Sequence, residues 1–286
     1  MKILITGANG QLGNEIRELA PEYPQFDFRY TDIAELDITN AADVDAYFGL
    51  HRPDTIINCA AYTAVDKAET DAETAFLVNA TASGNLARAA RANGCFVVHV
   101  STDYVYDGRN YRPYTETDAV NPVSVYGKSK LAGEQQVLQS GARAIVIRTS
   151  WLYSAFGNNF VKTMIKYGRE RDALNVVFDQ AGTPTYARDL AIAILDILPK
   201  AVVSGNTGIF HYSNEGVTSW YDFAKAIHEL AGISCNVSPI STKDYPTPAQ
   251  RPFFSVLDKS LIRKSFAIEI PYWRDSLKDC IKRMEP

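Results

Sequence analysis

Three side chains in this 286-residue chain are of the types that together move a proton onto a carbonyl oxygen: Thr102, Tyr126 and Lys130. A tyrosine hydroxyl titrates at about 10, too high for easy proton exchange at neutral pH. A lysine ammonium close by stabilises the phenolate, and a Ser or Thr hydroxyl can hydrogen-bond and orient the carbonyl oxygen. Tyr126 and Lys130 are four apart in Tyr126-Gly127-Lys128-Ser129-Lys130, so on a helix they share one face. Thr102 lies in the hydroxyl-rich segment Ser101-Thr102-Asp103-Tyr104, directly after an apolar run. Each feature alone has a plain structural reading, since Tyr-x-x-x-Lys pairs recur on helices by chance and a strand-end Thr satisfies backbone groups. Joined to a hydride carrier, the set describes reduction of a carbonyl, with Tyr126 protonating the developing alkoxide.

A carrier site is offered by the first thirteen residues. Lys2 to Thr6 is a short apolar, β-branched run suited to a strand buried on both faces, and Gly7, Gly10 and Gly13 follow it without a spacer. Gly7 permits a tight turn, Gly10 lets a pyrophosphate approach bare backbone, and Gly13 lets the new helix pack closely. The helix start at Gln11 and Leu12 then supplies free N–H groups and a positive end to the phosphates. The spacing is GxxGxxG rather than the commoner GxGxxG, and a βα turn without a ligand is the alternative.

The rest of the chain must position these groups. The first helix reads from Gln11 to Ala20, stopped by Pro21, and a second strand from Phe26 to Thr31. Asp32 ends that strand, where a dinucleotide-binding fold places the carboxylate that accepts a ribose 2′-hydroxyl; a loop-capping role fits it equally. Asp37-Ile38-Thr39-Asn40 reads as a strand end and N-cap along which an adenine can lie. A third strand, Thr55 to Ala61, ends in small residues, so that Ala60, Ala61 and the following Tyr62 can pass beside a ribose or nicotinamide. A long helix is predicted over Asp71 to Asn93 with Gly94 as its stop, then a fourth strand from Phe96 to Ser101 that delivers Thr102. A helix opens near Val125 and another strand covers Ala144 to Ser150.

This series predicts an α/β fold: a Rossmann-type doubly wound parallel sheet with right-handed crossovers and ligands at the carboxyl ends of its strands. Beyond residue 150, helices at Phe160 to Arg169 and Ala187 to Leu198 alternate with short strands around Leu174 and Ile209. We read residues 1–150 as a dinucleotide-binding domain, to which some later segments return, and residues 151–286 as mainly a smaller substrate-binding lobe.

Composition narrows the partners. The chain is 46% hydrophobic with a net charge of -4 and no basic stripe, which removes the electrostatic case for nucleic acid. No stretch has the length and apolarity of a membrane span, and Met1 stands too close to a core strand for a signal peptide, so a cytoplasmic location is expected. The four cysteines have no close C-x-x-C spacing, which speaks against a metal site or disulfide framework, and Cys59 and Cys95, in or beside apolar runs, read as small buried hydrophobes.

The same residues carry a resemblance. Over nearly its whole length the chain resembles the extended short-chain dehydrogenase/reductases, and within them the dTDP-4-dehydrorhamnose reductase branch. The carriers are the opening glycine turn, Asn58-Cys59-Ala60-Ala61-Tyr62-Thr63-Ala64-Val65-Asp66, the segment from Ser101 to Gly108, and the Tyr126/Lys130 helix. Arg148-Thr149-Ser150-Trp151, the segment from Asp179 to Thr185 and Arg251-Pro252 complete them. The resemblance implies NADPH or NADH as hydride donor to the C4 ketone of a dTDP-linked 4-keto-6-deoxy sugar. It implies that Thr102 and Tyr126 polarise the ketone and that Lys130 lowers the Tyr126 pKa and binds the nicotinamide ribose. It places Asp103, Tyr104 and Trp151 around the sugar, Thr63 and Val65 beneath the sugar or nicotinamide, and Arg251 at the diphosphate; for Trp151 a core role is the alternative.

Some relatives dimerise through acidic residues that hold Mg²⁺; Glu15 and Asp189 are the candidates here, with a solvated surface role as the other reading, so the expected state is monomer or homodimer. One departure stands out: Asp32 would repel the 2′-phosphate of NADPH, and the nearby cation Arg29 lies on a strand whose alternation decides where it points. Two other readings exist. One is a nucleotide-sugar epimerase or dehydratase recycling bound NAD, against which Tyr104 replaces the acid of the dehydratase Thr-Asp-Glu triplet. The other is a non-catalytic cofactor-binding subunit resembling the regulatory β-subunit of methionine adenosyltransferase, against which the presence of Thr102, Tyr126 and Lys130 together argues.

Overall fold

The computed structural model describes residues 1–284. Apolar runs form the strands β1 (Lys2–Thr6), β2 (Asp27–Thr31), β3 (Thr55–Asn58), β4 (Phe96–Thr102) and β5 (Ala144–Thr149). With the strand Gly208–His211 they make one six-stranded sheet, ordered 208–211, β5, β4, β3, β1, β2. Every pairing in it is parallel.

Helices return the chain between these strands and cover both faces. Ile3, Ile5, Ile57, Val98, Ile145 and Ile147 pack on one side with α1 (Gln11–Leu19) and α8 (Ala187–Ser204). Leu4, Ile56, Val97 and Val146 point the other way, into α2 (Ala41–His51), α5 (Ala82–Asn93) and α6 (Val125–Gln139). Two-sided burial is what the uninterrupted apolar runs encode. The fold is therefore the doubly wound Rossmann-type sheet. From β1 the chain winds outward to β2, then crosses back to β3 and continues on the other side. The reversal leaves a crevice at the carboxyl ends of β1 and β3, where such sheets bind ligands. Thr6 and Asn58 are register partners at its edge.

Several boundaries differ from the sequence reading, each for a local reason. The first helix ends at Leu19, and Pro21 sits within a 3₁₀ turn at Ala20–Glu22 where its missing N–H costs nothing. β3 stops at Asn58, whose Oδ1 accepts from Thr6 Oγ1 at 2.7 Å and from Ala60 N at 3.1 Å and so draws the next residues out of the sheet. The predicted helix over 71–93 is α4 (Ala72–Phe76), a π-helical turn at Leu77–Thr81 and α5. α8 continues through Pro199 to Ser204 rather than ending at Leu198. α2 starts at the N-cap read in the Asp37–Asn40 segment, with the Asn40 side chain accepting from Ala42 N, while the helix body to His51 goes beyond that reading.

A second core lies beyond β5. α7 (Phe160–Glu170), α9 (Trp220–Leu230) and α11 (Trp273–Met284) enclose Tyr153, Tyr186, Phe223 and Trp273, beside a parallel pair formed by Ala173–Val177 and Asn236–Ile240. α10 (Ser260–Phe266), by contrast, packs Ile262 and Phe266 onto the main sheet. All four cysteines are free thiols. Among the described residues no helix is long and apolar enough to cross a membrane.

Candidate active site

The glycine turn and the end of β3 touch. Gly7 has φ +65°, and a Cβ on it would lie 2.6 Å from Ala60 Cα and N, so only glycine fits both the turn and the approach. Gly13 is equally constrained, against Ala8 of the turn itself, where a Cβ would meet Cα and O at 2.6 Å. Gly10 is the N-cap of α1 and no side chain caps that helix, which leaves its positive end open for an anion.

Two clefts meet at this turn and share Gly7, Gly10, Cys59 and Ala61. The larger, about 570 Å³, runs past Gln11 and Leu12 to Thr63, Val65, Thr102, Asp103, Tyr104, Tyr126, Lys130 and Trp151. The smaller, about 320 Å³, runs the other way past Ala60 to Asp32, Asp37 and Ile38. Most of the residues singled out from the sequence thus line one continuous groove. Three stand outside its lining. Gly13 acts through packing. Tyr62 has its hydroxyl turned to Asp71 and its backbone N–H held by Asn79. Arg251 forms a 2.7 Å ion pair with Asp66, between the short helix α3 (Val65–Ala68) and the loop after Tyr245.

Thr102 ends β4 and is buried; its Oγ1 donates to Asp103 Oδ1 at 3.0 Å and accepts from Tyr104 N at 3.2 Å. Ser124 caps α6 by accepting from Gly127 N at 3.1 Å, which sets Tyr126 in the first turn. Its ring meets Tyr104 edge-on at 5.4 Å. Burial pushes the Tyr126 hydroxyl up to about 12, the Asp103 charge adds to this, and the Thr102 hydroxyl opposes it. Tyr126 is therefore a neutral phenol at neutral pH, the form that donates a proton.

One turn on, Lys130 is buried and its Nζ donates to Val100 O at 2.7 Å. Burial pulls its ammonium down to about 8, with Glu134 and Cys59 acting against the fall. The hydrogen bond to Val100 anchors the ammonium on a carbonyl of the cleft floor. Asp103 is perturbed as well. Burial raises it to about 7, against the Thr102 and Ser255 hydroxyls, and its buried Oδ2 has no hydrogen-bond partner among the described residues.

Sequence reasoning missed the frame behind these groups. Glu134 on α6 accepts from Ser101 Oγ at 2.5 Å and from Arg148 on β5 at 2.6 and 2.9 Å. The Arg148 guanidinium also donates to Tyr106 OH at 2.7 Å. Asn79, in the π-helical turn, accepts from Tyr62 N at 2.8 Å and donates to Ser129 Oγ at 2.9 Å, tying the end of β3 to α6. A Glu four residues beyond Lys130 was the available signal for the first; nothing local marks Asn79.

Trp151 forms a wall of the larger cleft, in the left-handed region at φ +47° and stacked on Trp220 with centroids 3.5 Å apart. At the other end, Asp32 both lines the smaller cleft and caps the glycine turn, its Oδ2 accepting from Asn9 N at 3.0 Å. Arg29 points away, to His51 Nδ1 at 3.3 Å. Glu15 is buried and engaged by Ser154, Arg188 and Arg283, and Asp189 by Asn214 and Ser276.

With this geometry in hand, comparison with known proteins is specific. The family profile described as RmlD substrate binding domain matches residues 1–285. The dTDP-4-dehydrorhamnose reductase of Aggregatibacter actinomycetemcomitans is 43% identical over 286 residues, covering 97% of each chain. A solved dTDP-4-dehydrorhamnose reductase of Clostridium acetobutylicum superposes with a TM-score of 0.94 at 45% identity and 100% coverage of both chains. That of Bacillus anthracis, solved in complex with NADP, superposes with a TM-score of 0.93 at 40% identity and 99% coverage of each.

Proposed function

The chain belongs to the family of the RmlD substrate binding domain, and we propose that it is an NAD(P)H-dependent dTDP-4-dehydrorhamnose reductase. It reduces the C4 ketone of dTDP-6-deoxy-L-lyxo-4-hexulose to give dTDP-L-rhamnose. The observation that carries this reading is the convergence of Thr102 and Tyr126 on a cleft continuous with the glycine turn.

The groove suits a dinucleotide, because the uncapped start of α1 faces the Gly7 turn and small residues at 60 and 61 leave room beside it. Gly7, Gly10, Gln11 and Leu12 would hold its phosphates, Asp32, Asp37 and Ile38 its adenosine end, and Ala60, Ala61 and Lys130 its nicotinamide ribose. When bound, the reduced nicotinamide supplies the hydride. The Thr102 hydroxyl, now donated to Asp103, can turn to the ketone oxygen, and Tyr126 gives that oxygen its proton. Lys130, within reach of the same cleft, contributes the positive charge that favours proton departure from the phenol. Thr63, Val65, Asp103, Tyr104 and Trp151 enclose the sugar, with the stacked Trp151 offering a flat apolar face. Tyr104 stands where a dehydratase carries a carboxylic acid, and its hydroxyl, raised by burial, is a far weaker acid than a carboxyl.

The test is a nicotinamide absorbance assay with the purified protein, NADH or NADPH and the 4-keto-L-lyxo sugar nucleotide. Stoichiometric loss of absorbance is expected. No oxidation, or tightly held NAD recycled without net consumption, would overturn the reading.

A further inference from the structure

The indole of Trp151 is held from outside the cleft that it lines. A bulky residue at φ +47° is disfavoured and persists only where its surroundings over-determine it. The backbone is pinned on both sides, Ser150 Oγ donating to Thr183 O at 2.8 Å and Thr185 N to Trp151 O at 3.1 Å. The ring is fixed separately. Trp220 stacks on it, the two planes 8° apart. At Gly182 a Cβ would lie 2.6 Å from Trp151 Cε2 and 2.7 Å from Cζ2, so the ring takes the space of a side chain there. These two neighbours come as a unit: Ala181–Gly182 and Thr218–Ser219 form a short antiparallel pair, with Thr218 opposite Gly182, and Trp220 follows directly. Ser219 caps α9 by accepting from Asp222 N at 3.0 Å, which sets Trp220 as the first residue of that helix. Phe160, the first residue of α7, packs against Trp220 at 4.6 Å. Trp151 lines the larger cleft; Trp220 and Gly182 do not.

We propose that Trp220, together with Gly182, is a positioning residue for the sugar nucleotide and acts through Trp151. The inference rests on the reading of Trp151 as a wall of the sugar site. A tryptophan on the wall of an open cleft has rotamers to lose when a ligand orders it, and that loss is subtracted from affinity. The stack on Trp220 and the close approach to Gly182 remove this freedom before the ligand arrives. The indole then meets the apolar C–H face of the sugar in one fixed orientation. The glycine turn and the smaller cleft are built from other elements, so dinucleotide binding is independent of this slot.

The test is titration calorimetry of the full chain with dTDP-L-rhamnose, the product of the proposed reduction, so that no turnover is needed. Trp220→Leu is expected to weaken binding by about threefold to tenfold, the loss of one ring-on-ring contact, and Trp220→Phe to restore most of it. Gly182→Ala should weaken binding too. It removes nothing from the core, and so carries the test if Trp220→Leu does not fold. Affinity for NADH or NADPH should match that of the unaltered chain in every variant. Trp220→Leu added to Trp151→Leu should cost nothing further, because its effect runs through that ring. A dissociation constant indifferent to both Trp220 and Gly182, or a Trp220→Leu loss that adds in full to that of Trp151→Leu, would overturn the proposal. Binding with the expected pattern but without NAD(P)H oxidation removes the reductase reading and keeps the positioning role. A chain that does not bind dTDP-L-rhamnose removes both.

Discussion

Ser101 and Glu134 share a 2.5 Å hydrogen bond that joins the end of β4 to the middle of α6. Ser101 precedes Thr102, and Glu134 lies one turn beyond Lys130, so the bond couples the two elements that carry the proposed chemistry. Arg148 closes the arrangement from β5 with two hydrogen bonds to the same carboxylate.

Replacing that carboxylate should act on Lys130. The ammonium is pulled down to about 8 by burial, and Glu134 is the leading group opposing the fall. The active form is charged, so activity should decline as pH rises through about 8. Glu134→Gln should move this alkaline limb to lower pH by roughly one unit, read from the pH profile of kcat/KM. The same change leaves Arg148 buried without its partner, and chemical denaturation should show a loss of about 3–5 kcal/mol. A limb that stays in place would detach Glu134 from Lys130 whatever happens to stability.

Tyr126→Phe separates chemistry from binding. The phenol is neutral across the working range because burial pushes it up to about 12, so it supplies a proton and does not itself set the limb near 8. Turnover should fall by about 10²–10⁴-fold while the NADH dissociation constant changes little. Undiminished turnover would remove Tyr126 from the mechanism.

Asp103 gives a stability signature with a defined sign. Its folded value of about 7 lies above the ordinary value of 3.8, so between those limits the folded chain holds a proton that the unfolded chain has released. Its contribution is most favourable below pH 3.8 and is lost as pH rises through about 7. Asp103→Asn keeps the shape without the charge. The variant should be more stable than the parent at about pH 8, by roughly a few kcal/mol, and the difference should vanish near pH 4. Melting curves across that window decide it; a pH-independent difference would mean that the carboxyl is solvated in solution.

The parts of the molecule legible in the sequence were those where one local rule governs several residues. Buried runs such as Lys2–Thr6 and Phe96–Thr102 declared themselves, and three glycines fixed the turn after β1. The residues of the groove were legible as a family pattern, and the sheet order places most of them on its walls. What escaped was set by distant partners. The π-helical turn forms where Asn79 is claimed by Tyr62 and Ser129, and the strand at 208–211 joins β5 only because α8 carries the chain back beneath the sheet. Arg251 shows the same limit from the other side. Its charge suggested a diphosphate, while its position is set by Asp66, a residue 185 positions away.

That ion pair yields a prediction able to separate the two roles. The Arg251 and Asp66 side chains remain 25% and 41% exposed, so their attraction is screened by water and is worth about 1 kcal/mol or less. Arg251→Ala should therefore leave the melting temperature nearly unchanged. If the sugar nucleotide's diphosphate draws Arg251 away from Asp66, the same variant should raise KM for that substrate by about tenfold or more with kcat little altered, since binding common to ground and transition state is what would be lost. Asp66→Asn tests the exchange from the opposite direction: it releases the guanidinium from its resident partner, and KM should hold steady or fall. Steady-state kinetics on both variants answers the question. A KM indifferent to Arg251 would restrict the residue to fastening the loop after Tyr245 onto α3, and would leave the diphosphate to backbone donors at the mouth of the cleft.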